Sequence, residues 1–300
     1  MRVFITGATG WIGSATVDEL LSTGHHVIGL ARSADSARSL ESKGATALRG
    51  DLDDLDSLRR GAAQADAVVH LANKHDWADP AESDRAERAA IEVMLDELAG
   101  TGRPFSIANG LSGLVEGRSV LETDISPAVG PESDRGGSEN LAIDYADRGV
   151  RTIATRFAPS VHGPGDWGFV RFLVEAARKH GVSGYLGDGT NCWSAVHRDD
   201  AARLIRLGLE KAPAGARLHA VAEEAVPTRV IAEAIGAALG VPVASIAPDS
   251  AEEHFGIVGH FFGLTMTGSS EITRAAIGWT PAGASLVEDI RGGAYTKEGA

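Results

Sequence analysis

Three hundred residues with 43% hydrophobic content suffice for one large domain or for a domain with a smaller lobe. The formal charge of −13, from 28 basic against 41 acidic residues, argues against nucleic acid and anionic membrane surfaces as main partners. One cysteine, Cys192, leaves no internal disulfide and fits a reducing cytoplasm, and no apolar run approaches the ~18 residues that span a membrane.

Residues 1–5 read as the start of a strand and not as a secretory leader. Short apolar runs at 2–6, 26–31, 45–49, 67–71, 104–108 and 151–156 predict strands. Each is about five residues long and apolar on both sides of its alternation, as in parallel strands buried between two helical layers. Between them, helical patterns predict helices over 13–23, 34–43, 55–63, 83–100 and 132–148. Gly24, Gly44 and Gly149 stand where a left-handed residue ends a helix. This strict alternation predicts an α/β fold with a Rossmann-type, doubly wound parallel sheet.

After Arg156 the rhythm loosens, with Pro159, Gly163, Pro164 and Gly165 breaking the chain. Helices are expected over 169–180, 199–211, 229–239, 251–256 and 270–277, and strands at 217–221 and 243–246. The division expected is a nucleotide-binding domain over 1–156 and, over 157–300, mainly a smaller α/β substrate lobe with some segments returning to the sheet.

Thr6-Gly7-Ala8-Thr9-Gly10-Trp11-Ile12-Gly13 follows the first strand and opens the first helix. Gly7 permits the tight turn, Gly10 lets a pyrophosphate approach the backbone, and Gly13 permits close helix–sheet packing. The helix N-terminus then offers free N–H groups to phosphate, with Thr9, Trp11 and Ile12 at the site. The second strand ends Leu30-Ala31-Arg32-Ser33, where an NAD site usually carries an acid for the ribose 2′-hydroxyl. Arg32 suits a 2′-phosphate instead, with Ser33 as a donor, so the cofactor expected is NADP(H). Asp35 is read as part of the next helix start. Asp51 and Leu52 are expected beside the adenine, and Leu71, Ala72 and Asn73 beside ribose and pyrophosphate.

These residues resemble the extended short-chain dehydrogenase/reductase family, which includes NAD(P)-dependent epimerases and dehydratases. The resemblance runs through TGATGWIG at 6–13, GDL at 50–52, HLA at 70–72, RFAPSVHGPG at 156–165, VHRDDA at 196–201 and IGWTP at 277–281. It implies chemistry by a Tyr-x-x-x-Lys pair with a serine or threonine, in which the tyrosine moves a proton at the substrate oxygen. None of Tyr145, Tyr185 and Tyr295 has a lysine four residues on. Counting back from Gly149, with Glu139 matched to a glutamate of the family, puts Arg135 at the lysine position and Pro131 at the tyrosine position. Arg135 can hold a ribose hydroxyl or the substrate, but proline transfers no proton. At the serine position, Ser112 is the nearest hydroxyl and Asn109 a neutral donor.

His75 and Lys74, after the fourth strand, are candidates for the missing proton transfer, against the alternatives of a structural histidine and a solvated lysine. Lys74, which could merely hold an anion, is also a candidate for the substrate pocket, as are His162 and Trp193, with packing between elements as the equal alternative for these two. Tyr145 is read as core. His254-Phe255 and His260-Phe261-Phe262 either cap an apolar pocket or form an interhelical patch. No Cys/His spacing suggests a metal.

Three functions are open. The first is an NADP(H)-dependent reductase of a small carbonyl-like substrate, with Ser112 or Asn109 and Arg135 orienting it and the proton from His75, a ribose hydroxyl or water. The second is a cofactor-binding sensor without turnover. The third is a sugar epimerase or dehydratase, disfavoured by the missing tyrosine. The family's dimerisation through two helices would here use 83–100 and 132–148, giving a homodimer.

Overall fold

The computed structural model describes residues 1–74 and 79–296. Its first half builds β1 (Arg2–Thr6), α1 (Trp11–Ser22), β2 (His26–Ala31), α2 (Ala34–Ser42), β3 (Thr46–Arg49), α3 (Leu55–Ala63), β4 (Ala67–His70), α4 (Pro80–Leu98), β5 (Pro104–Gly110), α5 (Ser138–Asp144) and β6 (Arg151–Phe157). The second half adds β7 (Ser160–His162), α6 (Phe169–His180), β8 (Ser183–Leu186), β9 (Cys192–His197), α7 (Arg198–Lys211), β10 (Ala216–Ala220), β11 (Glu223–Pro227), α8 (Thr228–Leu239), β12 (Val243–Ile246) and four short helices. These are α9 (Ala251–Phe255), α10 (Val258–Phe262), α11 (Glu271–Ile277) and α12 (Leu286–Gly292).

A seven-stranded sheet runs β10-β6-β5-β4-β1-β2-β3 with every pair parallel. Alternation along β1 sends Val3 and Ile5 to one face and Phe4 to the other, and all three are fully buried. The first face is covered by α1, α2 and α7 through Val17, Leu20, Leu40, Leu204 and Ile205. The second is covered by α3, α4 and α5 through Leu58, Ile91, Met94, Leu98 and Ala142. This is the doubly wound fold that alternating strands and helices imply. Helix starts follow side-chain chemistry: Ser33, Asp54 and Asp79 each accept an amide of the first turn, and Pro80 opens α4.

The smaller lobe has its own core of α6, α8, α12 and β9 around Trp193, Phe262, Ile290 and Tyr295. A three-stranded sheet, β11-β9-β7, and the pair β12-β8 frame it. Strand β10, from the second half of the chain, lies at the edge of the large sheet beside β6. Among the described residues no helix is long and apolar enough to cross a membrane.

One element differs sharply from expectation. The helix expected over 132–148 is confined to Ser138–Asp144. Arg135, Gly136 and Gly137 form a left-handed turn before it, with φ of 53°, 58° and 63°. Paired glycines favour this conformation and weaken a helix. Packing requires it as well: a Cβ on Gly136 would lie 2.9 Å from the Asp84 carbonyl oxygen on α4.

Candidate functional site

A cleft of about 1080 Å³ opens at the carboxyl edge of the sheet, across β1 and β4, where the strand order reverses. Gly7, Thr9, Gly10, Trp11, Ile12 and Gly13 line it from the β1–α1 turn. The Gly10 N–H donates to the Gly7 carbonyl at 2.9 Å. A Cβ on Gly13 would stand 2.0 Å from that same carbonyl oxygen, so only glycine lets the helix begin this close to the turn. No side chain caps α1 at Gly10. Its first amides therefore remain available to an anion. Trp11 ties this turn to the second half of the chain: its Nε1–H donates to the Val161 carbonyl at 2.7 Å, and the Arg198 guanidinium lies 4.3 Å over its ring.

Arg32 lines the cleft at the end of β2, exposed, and its guanidinium has no hydrogen-bond or ion-pair partner among the described residues. The Arg49 guanidinium donates to the Arg32 carbonyl at 3.2 Å. Ser33 does not line the cleft. As the α2 N-cap it accepts the Ser36 N–H at 3.1 Å, and Ser36 borders the cleft in its place. Asp51 and Leu52 line the next stretch, where the Asp51 carboxylate accepts the Asp53 and Asp54 amides at 3.0 Å each. Leu71, Ala72, Asn73 and Lys74 follow from the end of β4. Lys74 reaches across to Asp53 at 2.7 Å, and that bond raises the lysine's pKa and favours its charged form.

The catalytic candidates separate. Arg135 and Asn109 border both this cleft and a neighbouring cavity of about 410 Å³. Ser112 is exposed and borders only the smaller of the two. His75 lies outside the described residues. His162 and Trp193 do not reach the cleft, because both are fully buried. His162 Nδ1 meets Asp289 at 2.6 Å, and Trp193 donates to the Phe261 carbonyl within the lobe's core. Phe255 and Phe262 belong to that same core. Tyr145 is buried and donates to Asp96 at 2.7 Å.

A chain of polar side chains runs inward from the cleft. Arg135 forms an ion pair with Glu87 of α4, donating through Nε at 3.2 Å and through its terminal nitrogen. Asn73 donates to the same carboxylate at 2.6 Å. Burial pushes the Glu87 carboxyl up, and the charge and hydrogen bonds of Arg135 pull it down. Asn109 accepts from Arg135 at 3.5 Å and donates to Glu139 at 2.6 Å. Glu139 in turn takes two hydrogen bonds from fully buried Arg156, at 2.6 and 3.1 Å. Arg217 adds a third at 3.3 Å. Burial opposes ionisation of Glu139, but its arginine partners prevail and hold its pKa below the usual carboxylate value. His70, beneath the site, is lowered to about 3 by burial first and by Arg135 second.

Glu87, Ser83 and Asp84 were not legible as site residues from motif matching. The available signal was subtler: Ser83 and Glu87 fall in the buried stripe of α4 with Ala86, Ala90, Ile91 and Met94. An acid in such a stripe asks for a partner. Among the described residues no group of three or more His, Cys, Asp or Glu could hold a metal.

Residues 3–99 match the model of the NAD dependent epimerase/dehydratase family. An uncharacterized protein of Schizosaccharomyces pombe is 42% identical over 98% of this chain and 100% of its own length. One of Saccharomyces cerevisiae is 44% identical over 97% and 98%. A 2-alkyl-3-oxoalkanoate reductase of Stenotrophomonas maltophilia is 27% identical over 81% of this chain and 77% of its own. In fold, the chain resembles the dTDP-glucose 4,6-dehydratase DesIV of Streptomyces venezuelae, with a TM-score of 0.77, 22% identity and coverage of 99% and 98%. The glycine turn, the doubly wound sheet and these relatives together place the chain in the NAD dependent epimerase/dehydratase family of extended short-chain dehydrogenases/reductases.

Proposed function

We propose that the protein is an NADP(H)-dependent reductase of a small carbonyl-like organic compound. The observation that carries the cofactor is Arg32: an unpartnered guanidinium at the position where an NAD site places an acid. The turn amides from Gly10 to Ile12 would hold the pyrophosphate, Arg32 with Ser36 the 2′-phosphate, Asp51 and Leu52 the adenine, and Leu71 to Asn73 the ribose. The cradle fits such a group because its glycines clear the backbone and its helix amides lack a side-chain cap. A bound reduced nicotinamide supplies hydride to the carbonyl carbon. Asn109 and Arg135, which border both cavities, orient the carbonyl. Several relatives bear reductase names, among them the Stenotrophomonas enzyme and a ketoreductase of Stigmatella aurantiaca.

A second reading, a cofactor-binding sensor without turnover, is favoured by Pro131 at the tyrosine position and by the commitment of Arg135 to Glu87. Screening purified protein for NADPH oxidation against aldehydes, ketones and imines separates the two. The reductase reading expects turnover with at least one class. Tight NADPH binding without turnover across the panel favours the sensor. His75→Ala and Ser112→Ala in the same screen test the two side chains proposed from sequence as proton donor and carbonyl partner.

A further inference from the structure

One wall of the cleft is the start of α4, where Pro80, Ser83 and Asp84 line it. Glu87, one turn further on, is taken up by Arg135 and Asn73. Ser83 is 6% exposed, and its Oγ has no hydrogen-bond partner among the described residues. A buried hydroxyl left this way is costly, and a group entering the cleft would recover that cost. Asp84 is half-buried beside it.

The position of Asp84 is fixed by the left-handed turn. Gly136 packs so close to its carbonyl oxygen that a Cβ there would stand at 2.9 Å, and the Arg135 backbone favours its ionised form. The charges bearing on it from that turn are Asp134 and Arg135. On its own helix Glu87 is paired with Arg135, Arg88 with Glu92, and Arg85 with Glu82. From the sheet edge Lys74 is held by Asp53. Burial first, and Asp134 second, push the Asp84 carboxyl up against the pull of Arg135.

Among the described residues, the other titratable groups on the cleft wall are engaged or stay charged. Arg32 and Arg135 stay charged. Lys74 and Asp53 hold one another, and Asp51 accepts two backbone amides.

We propose that Asp84, with Ser83 beside it, is the acid that protonates the substrate oxygen in place of the missing tyrosine. The proposal rests on the reductase reading. In the step, the O–H bond of the Asp84 carboxyl breaks and a new O–H bond forms on the former carbonyl oxygen. The carbon receives its electron pair as hydride from the reduced nicotinamide, which is oxidised as the carbonyl is reduced. Asp84 is left as a carboxylate and regains its proton from water. Ser83 donates a hydrogen bond to the same oxygen.

The test compares wild type, Asp84→Asn, Ser83→Ala and His75→Ala. Three readouts are needed: calorimetric NADPH binding, carboxyl NMR titration of protein labelled at aspartate, and NADPH oxidation against pH with methylglyoxal, 4-nitrobenzaldehyde, cyclohexanone and 2-methylpyrroline. The Asn variant should bind NADPH as wild type does and lose about 100-fold or more in kcat. It should also lack the limb in which wild-type kcat/KM falls as pH rises, and one of the carboxyl resonances titrating above the exposed aspartates should vanish while that of buried Asp166 stays. Ser83→Ala should lose about tenfold in kcat, the weight of one hydrogen bond. An Asp84 resonance that titrates with the exposed aspartates, or turnover that survives in Asp84→Asn and fails in His75→Ala, overturns the assignment of Asp84 alone. Wild-type protein that binds NADPH and reduces none of the probes overturns the reductase reading and this proposal with it.

Discussion

Two turns border the same cleft, and each depends on a glycine that clears backbone. In the β1–α1 turn a Cβ on Gly13 would lie 2.0 Å from the Gly7 carbonyl oxygen; in the 135–137 turn a Cβ on Gly136 would lie 2.9 Å from that of Asp84. Beyond this they diverge. The first turn leaves its helix amides uncapped and offers backbone to a ligand. The second presses Arg135 against α4, where Glu87 takes its guanidinium. Cofactor recognition is thus written in backbone clearance, which a sequence shows as spaced glycines. The proposed chemical side is written in side-chain pairs distant in sequence, such as 87 with 135 and 139 with 156.

The largest effect is expected where the chemical side is anchored. Replacing Glu139 by Gln leaves Arg156 buried with a neutral partner and should cost about 3–5 kcal/mol, read as a lowered urea midpoint. An unchanged midpoint would show that the inward chain of polar groups supports nothing. Gly13→Ala tests the other turn, where overpacking against backbone should cost about 1–3 kcal/mol and weaken NADPH binding. If Gly13→Ala binds NADPH normally, backbone clearance is not what defines that side.

Arg32→Asp should erase or invert the preference for NADPH over NADH, a change of roughly 10- to 100-fold for one charge-assisted contact. Calorimetry with both nucleotides reads it, and an unchanged ratio would remove Arg32 from the cofactor site. The smallest effect, taken over a single pH unit, concerns pH. His70 has its pKa lowered from 6.5 to about 3 in the folded protein. The unfolded chain therefore takes up the proton first as pH falls. Stability held above the unfolded value is lost on acidification, by up to about 1.4 kcal/mol per pH unit within that window. Urea midpoints of wild type and His70→Gln should converge or cross as pH falls; parallel curves would show that His70 contributes no such slope.

The fold was readable because its signals are local. β1, β2, α3 and α6 fall where apolar periodicity puts them, and Gly24, Gly44 and Gly149 all take positive φ. The short strands β7, β8, β9 and β11 escaped because Ser160, Ser183, Ser194 and Glu223 open or interrupt them, so none carries an apolar run of about five residues. The helix expected over 132–148 is cut short because Gly136-Gly137 prefers a left-handed turn and the close approach of α4 requires one. Of the two readings open for His162 and Trp193, packing holds; a motif could not decide between them because it gives position along the chain and not burial, and both are fully buried. Glu87 and Asp84 went unread because the groups that bear on them come from a distant turn, and Ser83 because its hydroxyl has no hydrogen-bond partner among the described residues.

The central claim is that the glycine-turn side of the cleft accepts NADP(H) although the family's tyrosine–lysine pair is absent. Calorimetric titration of wild-type protein with NADPH and with NADH tests it most directly. The account predicts binding of both nucleotides, with NADPH tighter by roughly tenfold or more. Equal affinity, or tighter binding of NADH, would contradict it.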